Sequence, residues 1–105
     1  MQTQVSILHN DYPAGMRALV DEKLQALSRF CGHIISMRAL LECDKDEHRV
    51  EIIAHVGHGN PLIADSRGAS FGAALDEALD RMGGIMRRHT EKRVLSRRRA
   101  ARVRQ

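Results

Sequence analysis

The 105-residue chain has no tryptophan, one tyrosine (Tyr12) and two phenylalanines (Phe30 and Phe71). Aromatic side chains usually dominate cores and interfaces, so the core here must be aliphatic, built from Leu, Ile, Val, Met and Ala. The same poverty bears on partners. Proteins that read single-stranded RNA by stacking display aromatics on a sheet surface, which favours recognition of shape and phosphate in this chain. Cysteine is also scarce. Cys31 and Cys43 make no disulfide framework and read as reduced thiols. No apolar run approaches the roughly 20 residues of a membrane-spanning helix. The opening MQTQV lacks the basic and apolar regions of a secretory signal, so the expected location is cytoplasmic. This length suits one small domain and leaves no room for a separate cofactor domain.

Charge is what the chain has, and it is unevenly placed. The formal net charge is +4. Residues 1–80 hold seven basic and twelve acidic side chains, whereas residues 81–105 hold ten basic and one acidic, Glu91. The basic block is Arg81, Arg87, Arg88, Lys92, Arg93, Arg97, Arg98, Arg99, Arg102 and Arg104. Arginine forks onto phosphate and stacks on bases, and such a cluster neutralises a phosphate backbone and releases its counterions. A +9 segment on a −5 body exceeds what solubility requires and points to nucleic acid or the ribosome. A membrane-surface arm is disfavoured, because only Val94, Leu95 and Val103 could form its apolar face.

Periodicity supplies the frame. Alternation predicts a strand over residues 4–8. Pro13 suits a first helical turn. Met16, Leu19, Val20, Lys23, Leu24, Leu27 and Phe30 then recur at threes and fours, one stripe of an amphipathic helix, with Gly32 placed for a left-handed helix end. Residues 35–43 alternate, with Ile35, Met37, Ala39, Leu41 and Cys43 on one face. Residues 50–56 and 62–65 read as further strands, separated by the turn-forming Gly57-His58-Gly59-Asn60-Pro61. Ser70 reads as an N-cap before a second amphipathic helix carrying Phe71, Leu75, Ala78, Leu79, Met82, Ile85, Met86 and His89. Gly83 and Gly84 interrupt it, each costing about 0.8–1 kcal/mol against alanine, and suggest a bend or a close backbone approach. The predicted order is β-α-β-β-β-α, an α+β two-layer sandwich with both helices packed on one face of a four-stranded sheet. Residues 1–93 form the expected domain, and residues 94–105 a flexible basic tail.

Candidate chemistry is thin elsewhere. His55 and His58 lie three apart near a hairpin, His48 lies upstream and His33 is near Cys31, yet no pattern assembles the three or four ligands of zinc. No metal or other cofactor is expected. Cys31 ends a helix, where the dipole disfavours a thiolate. No serine stands in a nucleophile elbow, and no glycine-rich loop is followed by Gly-Lys-Ser. Neither enzyme activity nor a small-molecule substrate is expected. His89, inside the cationic cluster with Arg87 and Arg93, is the histidine best placed to meet phosphate.

Three stretches resemble the ribosome hibernation promoting factor family, also described as ribosome-associated inhibitors or sigma-factor modulation proteins. MRALVDEKLQALSRF at 16–30 is similar to its first helix, VEIIAHVGHG at 50–59 to its third strand and hairpin, and SFGAALDEALDRM at 70–82 with RHTEK at 88–92 to its second helix. The resemblance is to short members and spans roughly residues 2–93. It implies the same β-α-β-β-β-α fold. It also implies binding of the small ribosomal subunit's rRNA in the channel for mRNA and tRNA, blocking both and inhibiting translation. The protein is expected to be monomeric when free. The rRNA contacts it implies are Arg17 and Lys23 on the first helix and Arg81, Arg88, His89 and Lys92 on the second. Ser70 and Gly72 stand where the family usually has an acidic residue and a tyrosine. Two other readings fit the sequence: a generic double-stranded-RNA-binding module with a similar element order, and a protein-interaction regulator of a transcription factor acting through the acidic body.

Overall fold

A computed structural model describes residues 1–8, 12, 15–57 and 59–103, with the backbone alone at 96, 97 and 99–103. Pro13, His58 and Arg104, each given a part above, lie outside these residues. The elements are β1 (Gln2–Ile7), α1 (Met16–Leu27), a 3-10 turn (Ser28–Phe30), β2 (Ile34–Asp44), β3 (Glu47–Val56), β4 (Leu62–Gly68) and α2 (Phe71–Val103). This is the expected β-α-β-β-β-α order.

The sheet runs β1-β2-β3-β4. β1 pairs parallel with β2, and the other two pairings are antiparallel. A parallel pair needs a crossover connection, and α1 supplies it. Val5, Ala39, Ile52 and Ala64 stand in one register row, and Ile7, Leu41, Val50 and Ser66 in another. Both rows face the helices. α1 packs on β1 and beside α2, and α2 covers β3 and β4. Against these rows the helices bury Val20, Leu24 and Leu27 from α1 and Ala74, Leu75, Ala78, Met82 and Met86 from α2. The core is aliphatic, as the composition requires, with Phe71 at its margin.

Several local expectations are corrected. β4 continues past Asp65 to Gly68. The continuation places Ser66 on the buried face, where its hydroxyl donates to Glu77 Oε2 at 2.9 Å; a buried hydroxyl needs such a partner. Ile35, expected inward, is 59% exposed. The register shifts between Ile34 and Ser36, and a bulge of this kind breaks the alternation. Ile34 packs against the core instead. Gly32 does not adopt the left-handed conformation. The helix stops at Leu27, Ser28 Oγ donates to the Gln25 carbonyl at 2.6 Å, and the chain leaves through the 3-10 turn into an extended Cys31.

Ser70 caps α2 as expected, its Oγ accepting from the Ala73 amide at 3.2 Å. Close beside it, a Cβ on Gly68 would stand 3.1 Å from the Ala74 nitrogen. A side chain there would require the backbone at the helix start to give by a few tenths of an ångström. At the other helix, Gly15 begins α1 with φ 89°, a conformation disfavoured for residues with a Cβ. α2 is 33 residues long, roughly 50 Å at 1.5 Å per residue, and accounts for the 59 Å long axis. The boundary expected at residue 93 falls inside this helix.

Candidate nucleic-acid interface

The two faces of the sandwich treat their cations differently. On the open sheet face, Arg49 of β3 reaches Glu42 at 3.4 Å, Glu51 at 2.9 Å and Asp65 at 3.0 Å. These hydrogen bonds, with Asp65 foremost, push the Arg49 pKa above its ordinary value. Arg67 pairs with Glu47 at 3.3 Å. Arg49 and Arg67 are thus met by carboxylates of β2, β3 and β4. The unmatched cations belong mainly to the helix layer, with Arg38 exposed on β2 and Lys45 exposed at the β2–β3 turn.

Within that layer the expected residues divide. Arg17 turns towards the free edge of β1 and donates to the Val5 carbonyl. One turn later Asp21 accepts from the Thr3 hydroxyl. The Arg17 bond occupies a backbone carbonyl of an edge strand, a group otherwise free to pair with another chain, and the Asp21 bond fixes α1 to β1. Arg17 therefore has a structural task. Lys23 lies on the side of α1 that meets α2.

Lys23, Arg29 and Phe30 face Asp76, Asp80, Gly83 and Arg87 across a groove of about 310 Å³. The Arg87 guanidinium carbon lies 5.2 Å from the Phe30 ring centroid, within cation–π range. Thr90 Oγ1 donates to the Phe30 carbonyl at 3.2 Å and ties the 3-10 turn to α2. Arg29 was not among the residues singled out from sequence; its position in the irregular turn after α1, beside α2, is set by the tertiary packing. Gly83 is where the helices approach, but a Cβ there would meet Leu27 and Phe30 at an ordinary 3.9 Å. The glycine pair leaves α2 continuous.

A second groove runs along the other flank of α2, lined by Asp65 and Ile63 of β4 and by Arg81, Gly84, Arg87 and Arg88. Arg81 is committed here. It donates to the Asp65 carbonyl and to Glu77 Oε1, both at 2.5 Å. Arg88 is exposed beside Gly84. Further along, Lys92 is exposed and Arg93 partly buried, and neither forms an ion pair among the described residues. His89 is half-buried, with Nε2 enclosed and without a hydrogen-bond partner among the described residues. It continues the buried stripe of α2, and its ring is less open to phosphate than the sequence position suggested.

The remaining titratable cluster lies at the β2–β3 hairpin. Tyr12 packs on Phe71 with ring centroids 5.1 Å apart. Its hydroxyl lies 3.2 Å from His48 Nδ1. Burial, then the neighbouring Cys43 and Glu42, push the Tyr12 phenol pKa up. Cys43 Sγ is 3.9 Å from His48 Nε2, and Cys31 is buried in the core. Among the described residues no three His, Cys, Asp or Glu side chains are gathered to hold a metal ion, and no helix is long and apolar enough to cross a membrane.

The fold and the helix-layer cations can be set beside known proteins. The chain is 27% identical over 94 residues to the ribosome hibernation promoting factor of Azotobacter vinelandii, covering 90% of this chain and 87% of that protein. The N-terminal domain of Thermus thermophilus Protein Y superposes with a TM-score of 0.71 at 22% identity, over 82% of this chain and 94% of that one. A ribosomal subunit interface protein from Coxiella burnetii gives a TM-score of 0.73 at 15% identity, over 87% and 99%. The two structures share the fold. Residues 3–94 match the family described as sigma 54 modulation protein / S30EA ribosomal protein, and with nearly the whole α+β sandwich inside that match, the chain belongs to this family.

Proposed function

We propose that this protein is a ribosome hibernation factor. It binds rRNA of the small subunit in the channel for mRNA and tRNA, and inhibits translation by occupying that channel. It acts by occupancy, without catalysis or cofactor, in the cytoplasm, and is monomeric when free. The observation that carries this reading is the segregation of charge. Arg49 and Arg67 on the sheet are matched by acids and Arg38 is the exposed exception there, while on the helix layer Arg81 pairs with Glu77 but Lys23, Arg29, Arg87, Arg88, Lys92 and Arg93 lie without ion pairs among the described residues. Family membership and the name of the Azotobacter relative support the ribosome as the partner.

In this reading residues 1–93 are the binding unit, and the basic extension 94–105 adds long-range attraction. Arg17, Lys23, Arg81, Arg87, Arg88, His89, Lys92 and Arg93 are the proposed rRNA-facing set. Arg17 and Arg81 contribute mainly by holding β1 and α2 in place, and His89, with its Nε2 enclosed, contributes by packing α2 and not by meeting phosphate. Six phosphate-contacting cations imply that affinity falls on the order of 10³-fold between 50 and 200 mM salt.

Gradient co-sedimentation with purified small subunits tests the proposal. The protein is expected to travel with the subunit at low salt and to be released at high salt. Subunits already filled with mRNA and tRNA are expected to bind less. Protein that stays at the top of the gradient at low salt refutes ribosome binding. A plain RNA duplex that competes as well as the subunit identifies a generic duplex binder instead.

A further inference from the structure

The groove between α1 and α2 combines chemistries that a simple phosphate-binding surface does not need. Phe30 is half-buried in its floor, with the Arg87 guanidinium stacked over the ring. Lys23 and Arg29 stand exposed on one wall, and the Asp76 and Asp80 carboxylates on the other. Two acids would weaken a surface meant only for backbone phosphate. They suit a ligand that is anionic at one end and rich in N–H donors at the other.

We propose that this groove is a slot for one unstacked guanine nucleotide of RNA, an assignment that rests on the RNA-binding reading above. The base lies against the Arg87–Phe30 stack, since guanidinium planes and aromatic rings both accept the face of an extruded base. Its phosphate meets Lys23 and Arg29. The carboxylates of Asp76 and Asp80 accept from the base edge. Guanine is favoured because its N1–H and N2–H₂ donors lie side by side and match one carboxylate, which is an acceptor only. Adenine, cytosine and uracil each offer a donor next to an acceptor. The volume of about 310 Å³ is at the small end of ligand pockets and suits a single nucleotide.

The test titrates isotope-labelled protein with GMP, AMP, CMP, UMP and inorganic phosphate, observing backbone amides by NMR. GMP is expected to perturb Phe30, Leu79 and Gly83 with a Kd of roughly millimolar order. The other three nucleotides should bind at least about 5-fold more weakly, and phosphate alone should leave these amides unmoved. Asp76→Asn with Asp80→Asn, both on exposed positions, is expected to abolish the preference for GMP. Phe30→Leu is expected to weaken GMP by about 5-fold or more, with the fold checked by circular dichroism. Equal binding of all four nucleotides, the same shifts with phosphate, or no shift with GMP overturns the slot. Co-sedimentation of the unaltered protein with small subunits is run in parallel. If it persists while the slot fails, the RNA-binding reading stands; if it is absent, that reading is what has failed.

Discussion

The division between free and committed cations predicts that basic residues of the same helix layer fail in different ways when neutralised. Arg88 and Lys92 are exposed and make no ion pair among the described residues, so Arg88→Gln with Lys92→Gln should leave folding nearly untouched. Surface changes of this kind stay within about 0.5 kcal/mol. Each lost phosphate contact lowers the slope of log affinity against log salt by about 0.7–0.9, so the pair should lower it by about 1.5. At 0.1 M salt that corresponds to a roughly 30- to 40-fold loss of affinity. Arg17→Gln should behave in the opposite sense. It removes the bond from the guanidinium to the Val5 carbonyl and frees the edge of β1, at a cost of about 0.5–1.5 kcal/mol. For a domain of this size 1 kcal/mol lowers Tm by about 4–8 °C. Its effect on the salt slope should be small. The assay is co-sedimentation with small subunits at several salt concentrations, paired with thermal melts. An unchanged slope in the Arg88/Lys92 variant refutes the reasoning. So does an Arg17 variant that loses slope while keeping its Tm.

Three further predictions test the frame that holds these residues. Gly83→Ala should stabilise the protein by about 0.5–1 kcal/mol, because its Cβ would meet Leu27 and Phe30 at 3.9 Å, whereas Gly68→Ala should destabilise it, with a Cβ 3.1 Å from the Ala74 nitrogen; denaturant melts of the two variants decide this. Arg49→Leu should cost about 1–2 kcal/mol at pH 7, by leaving Glu42, Glu51 and Asp65 facing one another, and the deficit should shrink near pH 3, where carboxylates are largely protonated; equal deficits at both pH values would refute the ion-pair account. Tyr12 is the single tyrosine, so ultraviolet absorbance titrates it alone. With its pKa raised above 10.0, the midpoint should lie above that value in the folded protein. The associated stability is fully present below pH 10 and lost as pH rises through the folded pKa, a loss that Tyr12→Phe should remove.

The legibility of the fold followed the physics of each signal. Where one element supplies its own periodicity, as at Val20, Leu24 and Leu27 or at Leu75, Ala78, Met82 and Met86, the buried face could be read directly, because helical spacing brings these positions to one side. The Ser70 cap was equally local. Reading failed where a neighbour decides. The bulge at Ile35 depends on pairing with β3. Gly32 was assigned a helix end that Ser28 and the 3-10 turn took over. The burial of Ser66 required Glu77 from the helix packed over β4.

The candidate site shows the same boundary. Composition and order alone determined that the core is aliphatic, that the sandwich is β-α-β-β-β-α, and that an excess of positive charge sits at and beyond the second helix. Those are sums and periods, which a chain carries along its length. Only the tertiary structure decided which cations remain available. It turned Arg17 to the edge of β1 and Arg81 to Asp65 and Glu77, enclosed His89 Nε2, and brought Arg29 and Phe30 opposite Arg87. The reason is physical: a side chain's free charge depends on the partners that packing places within a few ångströms, and apart from Glu77, one helical turn from Arg81, those partners belong to other elements of the fold.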